Sequence, residues 1–377
     1  MRSTYYALVF GLICFTTTLF AQKSVYIPAY LQNTNDPNGA QFSWDKTDQS
    51  ENFILIWGNT VGTDPANYSD PDLRFAPQAI LDTMEFIYRE FKTLGFVDDG
   101  AGTRLSEFKV PIVMYNTWGS NGAMGWANGG DADGVIGAFW AHPNAMRDGG
   151  VAAHEFAHSM QAQANIDART TNGLGLVWQN AGIFWETHAN FMRNLLYPQF
   201  VSAWGMDMYH VETFGDWKNT YENYQILLAI MESDGIEIIN RMWRESYSDE
   251  YPLQAYKRLA GLSDLAFNDS MYHYVRRMST FDFNHEGIGG YFRQYRNDDL
   301  RYNLSSAQAT YTILDKIQGS DNRYEVPIHL APEEFAYNII PLHLDADSCG
   351  ALVKFKGHTE VNAHAGWRYG FVTEKVG

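Results

Sequence analysis

The sequence predicts an α+β fold: strands and helices mixed over residues 22–204, a mostly helical stretch over 205–325 and a short β-rich module over 326–377. Short apolar runs closed by glycine, proline or asparagine crowd the first 141 residues. Apolar residues at three- and four-residue spacing then take over, and strand-like texture returns after about residue 325. Hydrophobic residues make up 45% and charged residues 19% of the 377, enough to bury a core and too apolar for a disordered chain. Absence of heptads and of any repeat of roughly 20–50 residues excludes coiled coils and solenoids. The formal charge of −17 argues against a nucleic-acid partner, which needs a basic face.

The chain starts with a short positive segment, Met1-Arg2-Ser3, followed by a mostly apolar stretch from Ala7 to Phe20 and then Ala21-Gln22. This is the layout of a secretory signal peptide over residues 1–21, with cleavage expected after Ala21 and export as a soluble extracellular protein. Lipidation at Cys14 is the alternative, opposed by the bulky Ile13 before it. No later stretch reaches the ~18 apolar residues of a membrane span, so no membrane partner is expected after cleavage. Cleavage would leave Cys349 as the lone cysteine, which excludes an internal disulfide and a thiolate zinc site.

Phe53-Ile54-Leu55-Ile56-Trp57 reads as a buried strand. Ile80, Met84, Ile87, Tyr88 and Phe91 form a helical stripe between Pro77 and Gly95. Val110 to Tyr115 is a second strand, which Pro111 pushes toward a strand start or a sheet edge. A Gly/Asn/Asp-rich loop over 119–134 leads to a third strand, Val135 to Trp140, and helices follow at about 150–163 and 183–196. Further helices are expected at Tyr224 to Met231, Ile236 to Trp243, Ala255 to Leu259 and Met271 to Met278. Ala336 to Leu344, Leu352 to Phe355 and Trp367 to Val372 read as strands, the last either completing a sheet or continuing past Gly377.

His154-Glu155-Phe156-Ala157-His158 carries the chemistry. On a helix, residues four apart share a face, so both imidazoles can reach one ion, with zinc the expected metal at one per chain. Glu155 stands where it can deprotonate a water, and Asp148 can cap the helix. A catalytic zinc needs a third protein ligand and an open position. Glu186, on the apolar helix Ile183 to Asn190, is the favoured candidate, because a carboxylate there is costly to bury unless paired or metal-bound. His188 is the rival, on roughly the opposite side of that helix. Asn190 lies one turn beyond Glu186 and can either accept a hydrogen bond from His154 or pack between helices.

A helical HExxH followed downstream by a helical Glu resembles the gluzincin zinc metallopeptidases, whose Glu-x-x-Ala pattern is matched by Glu186-Thr187-His188-Ala189. The stretches Ala153 to Gln161 and Trp185 to Asn194 are also similar to the secreted Svx-like virulence protein group, over about residues 50–370. The resemblance implies a zincin-like mixed sheet with the active-site helix along a cleft, and a protein or peptide substrate docked antiparallel to an edge strand. Gly137, Ala138 and Phe139 stand at about the right place for that strand, with a buried strand as the equal alternative. A tyrosine or histidine from the far side of the cleft is expected to aid the oxyanion, with His210, Tyr221, Tyr224 and His273 as candidates.

Gluzincin aminopeptidases hold the substrate amine with a Gly-x-Met-Glu-Asn segment. Here Gly122-Ala123-Met124-Gly125-Trp126 has a glycine in place of that Glu, and Asp131, Asp133 and Asp148 are the only acids between Glu107 and Glu155. An endopeptidase is therefore expected. Asn128 to Gly134 spaces oxygen ligands as calcium loops do but lacks a distal Glu, so a glycine-rich turn is the first reading and calcium the second. Aromatics such as Trp118, Trp126, Tyr221, Tyr224, Tyr272 and Tyr274 leave a carbohydrate-binding module as the alternative from another class, and a zinc hydrolase of non-peptide bonds as a third.

Overall fold

The computed structural model describes residues 22–32, 42–119, 124–176, 182, 184–203, 223–293, 311–333, 335–343, 350–357 and 366–373. The signal segment, Cys349, Gly122, Ala123, Ile183, His210 and Tyr221 lie outside the described residues.

Strands β1 (Ser24–Val25), β2 (Thr47–Gln49), β3 (Phe53–Ile56), β4 (Phe108–Met114), β5 (Ala127–Ala132) and β6 (Ile136–Ala141) form one mixed sheet. Its order is β2-β3-β4-β6-β5, with β1 beside the start of β4. The pairs β3/β4 and β4/β6 are parallel, while β2/β3 and β5/β6 are antiparallel. All four residues of β3 are fully buried because both faces of the sheet are covered. Phe53 and Leu55 face the main core, whereas Ile54 and Ile56 meet Ile27 and Leu31, the latter on α1 (Ala29–Gln32), on the other side. The fold is thus α+β with a mixed sheet, as expected.

Pro111 lies inside the sheet rather than at a strand start or an edge. On one flank β4 pairs with β3 throughout Val110–Val113; on the other it pairs with β1 at Phe108–Lys109 and with β6 only from Ile112. Val110 N–H points to Asn52 on the β3 side, so by alternation position 111 faces the gap between β1 and β6. The missing N–H falls where no strand needs it.

Helix α2 (Pro77–Thr93) buries Ile80, Leu81, Met84, Ile87, Tyr88 and Phe91, with Gly95 (φ 76°) turning the chain out of it. After α3 (Arg104–Glu107), the long helix α4 (Gly149–Thr171) lies across the sheet and is buried continuously from Ala152 to Asn165. Phe156 ties it down, stacked on Phe91 at 5.6 Å and edge-on to Phe53 at 5.4 Å. Helices α5 (Phe184–Leu196) and α6 (Phe200–Ala203) follow. The second half supplies α7 (Gln225–Asp234), α8 (Ile236–Glu245), α9 (Pro252–Leu259), α10 (Asp264–Thr280) and α11 (Glu286–Arg293). Trp243 of α8 is wedged against Phe184 and Trp185 of α5. One hydrophobic cluster runs from Phe53 to Tyr337 through both halves.

Two expectations change. The segment read as a glycine-rich loop contains β5, which pairs with β6 along its whole length from Ala127↔Ala141 to Ala132↔Ile136. The β-rich reading of 326–377 fails among the described residues: β7 (Asp315–Lys316) and β8 (Tyr324–Glu325) precede it, and past residue 326 there is a 3-10 turn and one isolated bridge, Tyr311↔Ile339. Leu352, Phe355, Trp367, Tyr369 and Phe371 stay exposed, and their apolar pattern meets no sheet among the described residues. Among the described residues, no helix is long and apolar enough to cross a membrane.

Candidate metal centre

Asp148 accepts a hydrogen bond from Gly150 N–H at 2.9 Å and starts α4, the role expected of it. Two turns on, His154 and His158 project from one face, their rings 4.7 Å apart. Glu186 enters from the first turn of α5. Its Oε2 is 3.0 Å from His154 Nε2 and 3.2 Å from His158 Nε2, and the two Nε2 atoms are 3.1 Å apart. These three ligand atoms are the group among the described residues arranged to hold a metal ion. Both histidines are buried, while 21% of the Glu186 side chain stays exposed, so the cluster opens on one side.

The outer ring nitrogens are held as well. Asn190 Oδ1 is 2.9 Å from His154 Nδ1, the first of the two roles open to it, and Gln161 Oε1 is 2.9 Å from His158 Nδ1. An amide oxygen only accepts, so each Nδ1 carries a hydrogen and, in the neutral ring, each Nε2 keeps its lone pair. His188, the rival ligand, is fully buried away from the cluster among Phe96, Phe184, Phe191 and Trp243. Burial, with the nearby His158 second, pushes its pKa down to about 3.

Burial also pushes His154 down to about 4. For His158 burial acts in the same sense, but Glu186, Glu155 and the Gln161 oxygen together outweigh it and the pKa rises. Burial alone would raise Glu186; its bonds to His154 and His158 win and hold it well below the usual carboxylate range. Glu155 is buried next door, and desolvation raises its pKa to about 7, against the opposing influence of His158 and of the Gly129 N–H that its carboxylate accepts.

Strands β5 and β6 run beneath α4 at very close range. A Cβ on Gly129 would come within 2.3 Å of Glu155 O and 2.5 Å of His158 Cβ; one on Gly137 would meet Ser159 O at 2.3 Å. The reading of Gly137, Ala138 and Phe139 as a substrate edge does not survive. β6 is interior, between β4 and β5. Gly137 N–H donates to Gln163 Oε1, Ala138 O accepts from Ser159 Oγ, and Phe139 is fully buried. Among the described strands β5 forms the sheet edge next to β6, and β2 forms the opposite edge.

The acids of the interval before the motif all have protein partners. Asp131 Oδ1 accepts from Gly134 N–H, and Asp133 Oδ2 from Tyr26 O–H and Ala29 N–H. The Asn128–Gly134 stretch is thus strand through Ala132 and then a tight turn, with Asp133 and Gly134 both at positive φ. Of the oxyanion candidates, Tyr224 is fully buried and stacked on Phe292, and His273 is exposed on α10. Trp118, Tyr224 and Tyr274 are core residues, so they are not available to stack on sugars. A cavity of about 550 Å³ lined by Arg74, Phe75, Ile80, Met146 and Arg147 includes none of the cluster. Gln161 and Gly129 were not singled out from the sequence; the signal for Gln161 was its place three residues after His158, on the same helical face.

Fold and cluster together define an α+β chain with a buried His/His/Glu group on two packed helices. The chain belongs to a family of unknown function (DUF6055), whose model matches residues 17–377. No curated protein and no solved structure matches it.

Proposed function

We propose that the chain is an exported, zinc-dependent, gluzincin-like endopeptidase, with His154, His158 and Glu186 holding the metal and Glu155 as general base. The observation that carries this reading is the convergence of three lone-pair donors within 3.2 Å, with Nδ1 of both histidines already committed to amide oxygens. Three such atoms repel one another unless a cation or a proton lies between them, and a two-histidine, one-carboxylate set suits zinc. When bound, the ion acidifies a water and polarises the scissile carbonyl. Glu155, buried beside the cluster, takes the water's proton and hands it to the leaving amine.

The substrate-binding strand shifts from β6 to β5. His142 N–H bonds Trp126 O, which sets the phase of the antiparallel pair. Alternate residues Ala127, Gly129 and Asp131 then turn their backbone groups outward; Glu155 takes the Gly129 N–H, and the remaining groups can pair with an extended peptide added as a further strand. Asp131, Asp133 and Asp148 are each engaged by backbone N–H groups, which supports a cleft without an ammonium anchor and hence internal cleavage.

Metal analysis of the purified protein should give one zinc per chain, lost in Glu186→Ala. Mass spectrometry of a digested protein mixture should show internal cuts. A zinc-free wild type after reconstitution, or zinc retained in Glu186→Ala, overturns the ligand set. Stepwise shortening from the amino end overturns the endopeptidase reading.

A further inference from the structure

Behind the cluster, α4 and α5 bury a glutamine and a histidine that the proposed chemistry does not use. Gln161 and His188 are both fully buried. Gln161 Nε2 lies 2.9 Å from Trp185 O and 3.0 Å from His188 Nδ1, and its Oε1 lies 2.9 Å from His158 Nδ1. The backbone carbonyl of Trp185 can only accept, so it fixes which way the amide faces. With the nitrogen held there, the oxygen must point at His158, and His158 must carry its hydrogen on Nδ1. The second N–H of Gln161 requires an acceptor, and His188 Nδ1 supplies it only as a neutral ring with its hydrogen on Nε2. Both donors and the acceptor of one amide are thereby used, each on a partner with a single admissible role.

His188 Nε2 has no hydrogen-bond partner among the described residues. Its ring sits between Phe96 at 4.8 Å and Trp243 at 5.1 Å, in a cage that a phenyl ring would fill without an orphaned N–H. An unpartnered buried donor is unfavourable. What the imidazole adds over a phenyl ring is the Nδ1 acceptor.

We propose that Gln161 and His188 act as a positioning relay that locks His158 in the Nδ1–H tautomer and aims its Nε2 at a divalent metal. The proposal rests on the metal-site reading above and extends it to two residues that touch no ligand atom of the ion. It also explains why position 161 is an amide and not an acid. A glutamate would accept from His158 but turn its second oxygen on Trp185 O and His188 Nδ1, where donors are required.

The test combines imidazole tautomers, read by long-range ¹⁵N–¹H NMR of the metal-free full chain in alkaline buffer, with zinc affinity measured by chelator competition. Wild type should show His158 with hydrogen on Nδ1 and His188 with hydrogen on Nε2. Gln161→Leu, Gln161→Glu and His188→Phe should each weaken zinc about 10–100-fold, the usual cost of losing such a partner. His188→Asn restores an acceptor near Nδ1 while leaving part of the cage empty. It should hold zinc better than His188→Phe although it melts lower, an order that packing alone would reverse. The relay is overturned if His158 carries its hydrogen on Nε2, if Gln161→Leu binds zinc like wild type, or if affinity follows melting temperature across the two His188 variants. A wild type that takes up no zinc overturns the metal reading itself, and the tautomers then decide whether the lock exists without it.

Discussion

Glu155 shows how one residue's environment sets its chemistry. A surface glutamate is fully ionised at neutral pH, but burial raises this one to about 7, against the Gly129 N–H and His158 that favour its charge. Glu155→Gln keeps the shape and removes the proton acceptor, so zinc content and melting temperature should hold while hydrolysis falls about 10²–10⁴-fold. Near-wild-type turnover of a protein substrate by that variant would remove Glu155 from the reaction. The two histidines of the cluster were legible in the sequence because helical geometry converts covalent spacing directly into a shared face. Glu186 needed one more step, the cost of burying a carboxylate among apolar neighbours. Gln161 and His188 were not legible together, since nothing in either helix alone says that their side chains meet when α4 packs on α5.

At the scale of elements, two glycines decide how closely α4 can approach its sheet. Gly129 and Gly137 touch the backbone of the helix, whereas a Cβ on Gly130 would meet nothing within 4 Å. Gly129→Ala and Gly137→Ala should each destabilise by about 1–3 kcal/mol through overpacking, with Gly130→Ala as the near-neutral control. Gly129→Ala should also weaken zinc, because its new methyl presses on His158 and on the carbonyl of Glu155. Denaturant titration and chelator competition read the two effects; equal stability for all three variants would show that the helix yields freely. The same glycines hid β5. Ala-Asn-Gly-Gly-Asp-Ala has no intrinsic strand preference, and it is extended because β6 offers a ladder and α4 a surface flat enough for residues without side chains. Beyond residue 326 the reverse holds: apolar residues in a strand-like pattern stay exposed among the described residues for want of a partner strand.

Across the whole molecule, acidity of the medium is the variable to which the fold should respond. Asp99, after α2, and Glu250, between α8 and α9, both sit below their ordinary values. Burial opposes this in each case. The bonds from Lys92 and Tyr88 outweigh it at Asp99, and those from Arg258, at 2.5 and 2.7 Å, do so at Glu250. A carboxylate depressed in the folded state contributes stability in full above its unfolded pKa, near 3.8 for Asp99 and 4.5 for Glu250, and loses it as pH falls through the folded value. Melting temperatures of Asp99→Asn and Glu250→Gln should therefore lie below wild type at neutral pH and converge on it in acid, as pH falls through the depressed folded-state values. A gap that persists in acid would assign the loss to something other than these charges.

The open side of β5 carries a further consequence, for how copies of this chain treat one another. A sheet that ends in unpaired backbone groups invites a neighbour's edge to add to it, and with it self-association. Here the inviting strand is built of residues that resist that outcome: two adjacent glycines, an asparagine, and Asp131, which would face a like charge at or near the register in which two such strands pair antiparallel. The composition leaves room for a guest whose own side chains supply the affinity, and denies it to a second copy. Greasing this strand, for instance with Asn128→Val and Gly130→Val together, would be expected to turn an edge that resists self-pairing into one that aggregates.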